Sequence, residues 1–431
     1  MSTTCWNRRQ LSGGLQLSWR QHRSPGLLAA RLWIAGGSSI DPSHQRGIHQ
    51  LLAGLLTRGC GDLDADALAD LVEGRGAALR AEAGEDSLVI SLKCASEDAE
   101  RLLPLLVQMA SQPSLEPEQI AIERQLNLQA LQRQREDPFQ LCHEGLRQQL
   151  YGQGPYGHDP LGVAAELEQL DRPDLCNQLD QLGQQGAAMV LAGGVSQGAL
   201  EALEAAISRE PWPVSPPGHP IDLGPPGNGD PLVQLEEDTE QVVLMLGCTT
   251  VPLAAADNLP LRLLQAHLGL GMSSRLFITL REERGLAYDV GVHMPARRGP
   301  TPFVWHLSTN ADRAAEACTA LLDEWQRILE QPLTTAELAL ARAKYLGQEA
   351  MGRQTCGQLA DREALLLGFG LSETFIDDCL ARAARLTSSE LQHAGQRSLG
   401  APRLSLCGPR EGLEAAAAAW NRHALSRARS A

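Results

Sequence analysis

The 431-residue chain is predicted to be α+β, with two tandem homologous domains, each a mainly antiparallel sheet packed against helices. Three observations predict this. A Pro/Gly-rich segment divides the chain near its middle, the halves repeat one order of elements, and a Gln-Pro landmark recurs at a fixed offset. Residues 211–231 run Pro-Trp-Pro-Val-Ser-Pro-Pro-Gly-His-Pro and then, from Gly224, Gly-Pro-Pro-Gly-Asn-Gly-Asp-Pro. Such a stretch holds neither helix nor central strand, so it is read as a linker between an N-terminal domain, 1–210, and a C-terminal domain, 232–431.

In chain order, 11–19 alternates like a strand. The first forty residues carry arginine and no acid, as an organellar transit peptide does, but the alternation favours a folded start. A strand over 28–34, an apolar helix over 47–56 and a strand over 87–94 follow. A helical run over 99–113 then ends in Gln112-Pro113, and the next helix contains Glu123-Arg124. The second half repeats the series with a strand over 241–248, a helix over 259–268, a strand over 303–309 and a run over 319–332 ending in Gln331-Pro332. Gln112 and Gln331 are 219 residues apart (331 minus 112). Thr334 and Glu337, at capping-box spacing, open the helix that carries Ala341-Arg342. Strand groups followed by paired helices predict helices on one face of each sheet.

The net charge of −15 argues against a nucleic-acid partner, because phosphate binding needs a basic surface. No apolar run approaches the roughly 20 residues that cross a bilayer, so no membrane span is predicted. Ten cysteines are scattered singly without a CxxC pair, which signals neither a zinc ribbon nor a disulfide framework. They fit a reducing compartment, and the expected location is cytoplasmic.

The stretch 273–290 carries most of the chemistry. A helical run bearing Arg281 stops at Gly285, the residue that most readily takes a left-handed closing conformation, and 286–290 reads as a strand. Arg281 and Tyr288 are thereby brought to one corner, where guanidinium and phenol can both donate to a carbonyl oxygen. Taken alone, the spacing fits a surface arginine and a half-buried tyrosine as well. The glycine loop at Gly269 to Gly271 lacks the lysine and threonine of a phosphate-binding loop.

The motifs Leu268-Gly269-Leu270-Gly271-Met272, Ser273-Ser274-Arg275-Leu276-Phe277, Leu280-Arg281-Glu282 and Gly285-Leu286-Ala287-Tyr288 stand in one order. The pattern resembles the second domain of the pitrilysin/insulinase-type zinc metallopeptidases, in the branch of the mitochondrial processing peptidase and its two-domain bacterial relatives. The resemblance extends from 11–15 to the helix over 336–347. In catalytic members of that family, an HxxEH motif supplies two histidine ligands and the general base, and a glutamate about 76 residues further on completes the metal site. The family's glycine frame falls here on Gly47 and Gly59, so the first histidine becomes Gln50, the glutamate Ala53 and the second histidine Gly54. The distant glutamate becomes Ala130. The resemblance thus implies four vacated metal positions. His49 alone cannot assemble three protein ligands and is read as a partly buried helix residue. Cys60, Cys142 and His143 are read as packing.

Arg281 and Tyr288 keep the family's separation of seven residues. In heterodimeric members one subunit carries zinc, while an arginine and tyrosine of the other contact the substrate backbone. The resemblance therefore implies a non-catalytic, substrate-binding subunit that binds neither metal nor cofactor itself. Zinc is expected in a homologous partner subunit, the assembly is expected to be a heterodimer, and the substrate a peptide or unfolded polypeptide. The rival expectation is an inactive scaffold or interaction protein of the same fold. Ser273, Ser274 and Arg275 are expected to fix the loop and helix start, and Asp289 departs from the small or polar residue usual after the tyrosine. The small residues over 77–83, before Gly84-Glu85-Asp86, mark an edge strand that could accept a peptide by β-augmentation but is read as structural.

Overall fold

The computed structural model describes residues 6–22, 26–209 and 230–427, so nearly all of the expected linker lies outside the described residues. The chain forms two compact units. The first comprises 1–131, 158–220 and 350–375; the second comprises 132–157, 221–349 and 376–431. Each is an antiparallel sheet with one parallel pair, covered by helices.

In the first unit the strands are β1 (Asn7–Gln10), β2 (Gln16–Gln21), β3 (Leu27–Ala35), a ribbon of β4 (Gly59–Cys60) and β5 (Leu63–Asp64), then β6 (Ala78–Ala83), β7 (Ser87–Ala95) and β8 (Ala187–Gly193). The main sheet runs β1-β2-β8-β3-β7-β6, and β2 with β8 is its parallel pair. The second unit has β9 (Leu232–Glu236), β10 (Gln241–Thr249), β11 (Asp289–His293), β12 (Pro302–Asn310) and β13 (Arg403–Gly408) in the order β11-β12-β10-β13-β9, with β9 parallel to β13.

The central strands are buried on both faces, which corrects the expectation of helices on one face. In β3, Leu28, Ala30, Leu32 and Ile34 enter the main core with the Ile48–Leu56 helix, while Ala29, Trp33 and Ala35 pack with Leu359, Ala360 and Leu367. The latter belong to the Cys356–Gly368 helix, which lies in the second half of the sequence yet completes the first unit. The second unit mirrors this. Val243, Met245 and Cys407 pack under Cys142, Leu146 and Leu150 of the Pro138–Tyr151 helix, which comes from the first half. Each half of the chain thus supplies one helix to the other half's unit, a departure from a linear division at the linker. A near-continuous apolar strand needs cover on both sides, and these helices provide it.

Two strands begin later than the periodicity predicts. Gly13 and Gly14 take φ of 76° and 95°, so a turn over Ser12–Gly14 interrupts the alternation and β2 starts at Gln16. Leu286 and Ala287 dive into the core, which delays β11 to Asp289. The capping box forms as expected: Glu337 N–H donates to Thr334 Oγ1 at 3.3 Å and Thr334 N–H to Glu337 Oε2 at 2.8 Å.

His267, on the Asn258–Gly269 helix, is 5% exposed. Burial pushes its pKa down to about 4; Glu337 opposes that shift, while Arg327, Arg275 and Lys344 reinforce it. Its folded-state pKa lies below its ordinary value of 6.5, so the unfolded chain binds a proton in that interval that the folded chain does not. The stability it contributes is therefore complete above pH 6.5 and is lost as pH falls toward 4. Urea midpoints followed over this range should fall more steeply for the parent chain than for His267→Met.

Candidate functional site

The helix bearing Arg281 widens to a π-helical turn over Phe277–Glu283, a distortion often found at functional sites. It closes at Gly285, whose φ of 58° is left-handed. Gly285 N–H donates to the Arg281 carbonyl at 3.2 Å, and Leu286 N–H to the Leu280 carbonyl at 2.8 Å. Tyr288 N–H then donates to the Ser308 carbonyl of β12 at 3.3 Å. Arg313, from the segment preceding the Ala314–Glu330 helix, donates to the Gly285 carbonyl at 3.4 Å and the Arg284 carbonyl at 3.3 Å. The turn is thus held by backbone hydrogen bonds at both ends and by the Arg313 side chain.

The structure brings Arg281 and Tyr288 together. The guanidinium carbon stands 4.7 Å from the Phe277 ring centre and 5.5 Å from that of Tyr288. Two rings thereby restrain one cation through its π contacts, each contributing about 0.5–1 kcal/mol at an exposed site. Tyr288 is 78% exposed rather than half-buried, and Arg281 is exposed. Among the described residues neither the guanidinium nor the phenol has a hydrogen-bonding or ionic protein partner. The arginine's five donors and the phenol are consequently available to an external acceptor. A cleft of about 570 Å³ adjoins Tyr288, lined by residues 285–288 and 308–310 among others.

The neighbouring residues are committed elsewhere. Arg275 makes a bidentate pair with Glu324, at 2.9 and 2.7 Å, and Ser274 is buried with its N–H on the Gly271 carbonyl. Asp289 faces His306 across the β11–β12 pair at 3.5 Å.

The four positions expected from the metal motif do not fit a metal ion. Gln50 Oε1 accepts the Ala83 N–H at 3.3 Å, fastening the Ile48–Leu56 helix to the end of β6. Ala53 is fully buried in the core. At Gly54 an added Cβ would meet the carboxylate of Glu123, whose Cδ lies 3.0 Å from it. Glu123, 7% exposed, instead pairs with Arg58, whose Nε donates at 2.5 Å. Ala130 offers only a methyl group, half-buried on the Pro117–Gln134 helix. Sequence reasoning named the vacated positions but missed Arg58 and Glu123; the Glu123-Arg124 dipeptide was visible, yet nothing local told that its carboxylate turns toward Gly54.

His49 is 1% exposed, more deeply buried than expected, and both ring nitrogens are taken. Nδ1 lies 2.6 Å from Asp41 Oδ1 and Nε2 lies 2.9 Å from Gln178 Nε2. With Asp41 on one ring nitrogen and the Gln178 amide on the other, the imidazole has no nitrogen left for a metal ion. His158 Nε2 lies 3.1 Å from the other Asp41 oxygen. Burial would raise the Asp41 pKa, but hydrogen bonds from His158, His49 and the Gly47 N–H outweigh it and hold the carboxyl below its usual range. Cys142 is fully buried, with Sγ 3.2 Å from the Ser405 carbonyl, and burial pushes its thiol far up. Cys60 is raised to about 11 by burial, and His143 meets His293 edge-on at 6.2 Å. These thiols are poor nucleophiles at neutral pH. Among the described residues no three His, Cys, Asp or Glu side chains stand together as a metal site.

Two family models match the chain. The one described as insulinase, peptidase family M16, covers residues 24–162, and the one described as peptidase M16 inactive domain covers 182–345. The chain belongs to peptidase family M16. This M16 chain is 23% identical over 416 residues to an uncharacterized zinc protease of Streptomyces coelicolor, covering 93% of this chain and 89% of that one. It is 22% identical over 366 residues to the non-peptidase homolog YmxG of Helicobacter pylori, covering 84% and 83%. Among solved structures it resembles a peptidase M16 inactive domain from Pseudomonas fluorescens, with a TM-score of 0.85 at 23% identity over 94% of this chain and 98% of that one. A protease from Helicobacter pylori gives 0.82 at 18% identity, over 94% and 100%. These likenesses show the two-domain α+β M16 fold.

Within that fold, β6 is the outer strand of its sheet and pairs only with β7. Its open edge borders a groove of about 730 Å³ that Leu68 and Val72 of the Ala65–Glu73 helix line together with Arg58. No helix among the described residues is long and apolar enough to cross a membrane.

Proposed function

We propose that this M16 chain is the non-catalytic, substrate-binding subunit of a heteromeric zinc metallopeptidase, working in the cytoplasm. In this reading a homologous partner holds the zinc and the water it activates. Arg281 and Tyr288 donate to a backbone carbonyl of the bound peptide or unfolded polypeptide, at or beside the scissile bond, aligning it and balancing developing negative charge.

The observation that carries the reading is the Arg281 guanidinium. It is exposed and restrained by the Phe277 and Tyr288 rings, and it lacks an ionic or hydrogen-bonded partner among the described residues. Arg275, a few residues away, by contrast spends its donors on Glu324. Gln50, Ala53, Gly54 and Ala130 supply no zinc ligand set, and in this reading the chemistry comes from another subunit. An inactive scaffold of the same fold would account for the lost metal site but leaves the restrained, unpaired arginine without a purpose.

The test is reconstitution. The purified chain should leave a quenched fluorogenic peptide uncut, and mixing it with a homologue that retains HxxEH and the distant glutamate should produce cleavage that a chelator abolishes. Chelator-sensitive cleavage by the chain alone would overturn the proposal. So would a partner that cleaves equally fast without it.

A further inference from the structure

The vacated metal position has been refilled rather than merely emptied. Gly54 sits in the interior of the Ile48–Leu56 helix at an ordinary helical position, since it is absent from the positive-φ residues. Alanine at such a site normally stabilises a helix by about 0.5–1 kcal/mol relative to glycine. Here the space over the glycine is taken by the Glu123 carboxylate, which reaches across from the Pro117–Gln134 helix. Glu123 is 7% exposed and is neutralised by Arg58, just beyond the C-terminal end of the Gly54 helix. Side-chain exposure is 35% at Arg58 and 10% at Glu123, so the pair is screened mainly at its arginine end.

We infer that the Arg58–Glu123 ion pair takes over the structural duty of the missing metal, joining the Ile48–Leu56 and Pro117–Gln134 helices, and that it makes glycine obligatory at position 54. A metal held at positions 50, 54 and 130 would draw ligands from the Ile48–Leu56 and Pro117–Gln134 helices and so tie them together. In this chain one carboxylate and one guanidinium make that tie with no net charge. A side chain at position 54 would push the end of the Glu123 side chain aside, and because that carboxylate is 7% exposed and held by Arg58, the shift strains a buried ion pair. The inference concerns the first unit alone and stands whether or not the chain serves as a subunit.

Thermal unfolding of the full chain tests it through the sign of one substitution. Gly54→Ala should lower the melting temperature by several degrees in the parent background. In a Glu123→Ala background, where Arg58 can turn to solvent, the same substitution should leave the melting temperature unchanged or raise it. Adding zinc chloride or a chelator to the parent should shift the midpoint by less than a degree, whereas a bound ligand raises it with concentration. The inference is overturned if Gly54→Ala is harmless in the parent, if it is equally harmful in both backgrounds, or if zinc raises the parent midpoint.

Discussion

In a complex with a zinc-bearing M16 partner, Arg281→Ala should lower peptide turnover by about 10²–10³-fold, the loss typical of one preorganised oxyanion donor. The guanidinium is restrained before substrate arrives, because it contacts the Phe277 and Tyr288 rings at 4.7 and 5.5 Å. Such preorganisation acts on charge developing in the transition state, so kcat falls more than KM rises. Tyr288→Phe separates the tyrosine's two contributions. It keeps the ring against Arg281 and removes only the hydroxyl, so a drop of roughly tenfold, near the upper end for one neutral hydrogen bond, assigns the phenol a direct contact. Unchanged turnover assigns Tyr288 the supporting role alone. Each complex is first checked for assembly by size-exclusion chromatography. If Arg281→Ala and Tyr288→Phe together assemble normally and turn over at the parent rate, the scaffold reading replaces the proposed one.

What could be read from the sequence was largely local. The Thr334–Glu337 capping box and the closure at Gly285 depend on residues within one or two turns, and both appear as expected. The repeated order of strands and helices was legible for the same reason. The exchange of the Pro138–Tyr151 and Cys356–Gly368 helices was not, because an apolar helical face does not state which sheet it covers. A signal was nevertheless present: Ala187–Gly193 and Gln241–Thr249 read as almost unbroken apolar runs, the mark of strands buried on both faces. At the candidate site, spacing paired Arg281 with Tyr288 but gave Phe277 no part in it, although it lies one helical turn before Arg281. The Glu123 carboxylate over Gly54 was beyond reach, since the contact joins residues 69 positions apart (123 minus 54) on separate helices.

Trp325→Ala should destabilise the second unit by about 3–5 kcal/mol, the usual cost of removing a fully buried aromatic side chain. Trp325 is completely buried on the Ala314–Glu330 helix, with its ring centre 4.7 Å from that of Trp305 and 6.2 Å from that of Phe303. Its indole N–H donates to the Leu399 carbonyl at 2.9 Å, so truncation both opens a cavity and leaves a buried acceptor unpaired. Trp325→Phe restores most of the volume without the donor and should cost less. The consequence reaches the candidate site because Trp305 and Phe303 belong to β12, whose Ser308 receives the Tyr288 N–H. Arg313, just before the helix that carries Trp325, holds the Arg284 and Gly285 carbonyls. A cavity between strand and helix therefore loosens both supports of the Arg281–Tyr288 turn at once. Urea unfolding followed by far-ultraviolet circular dichroism reads the stability loss, and faster hydrogen exchange at the Tyr288 and Asp289 amides reads its spread to the turn. An unchanged midpoint would show that the Trp305–Trp325 contact contributes little. A lowered midpoint with unchanged exchange at those two amides would mean that the turn is held by its own hydrogen bonds rather than by the core beneath it.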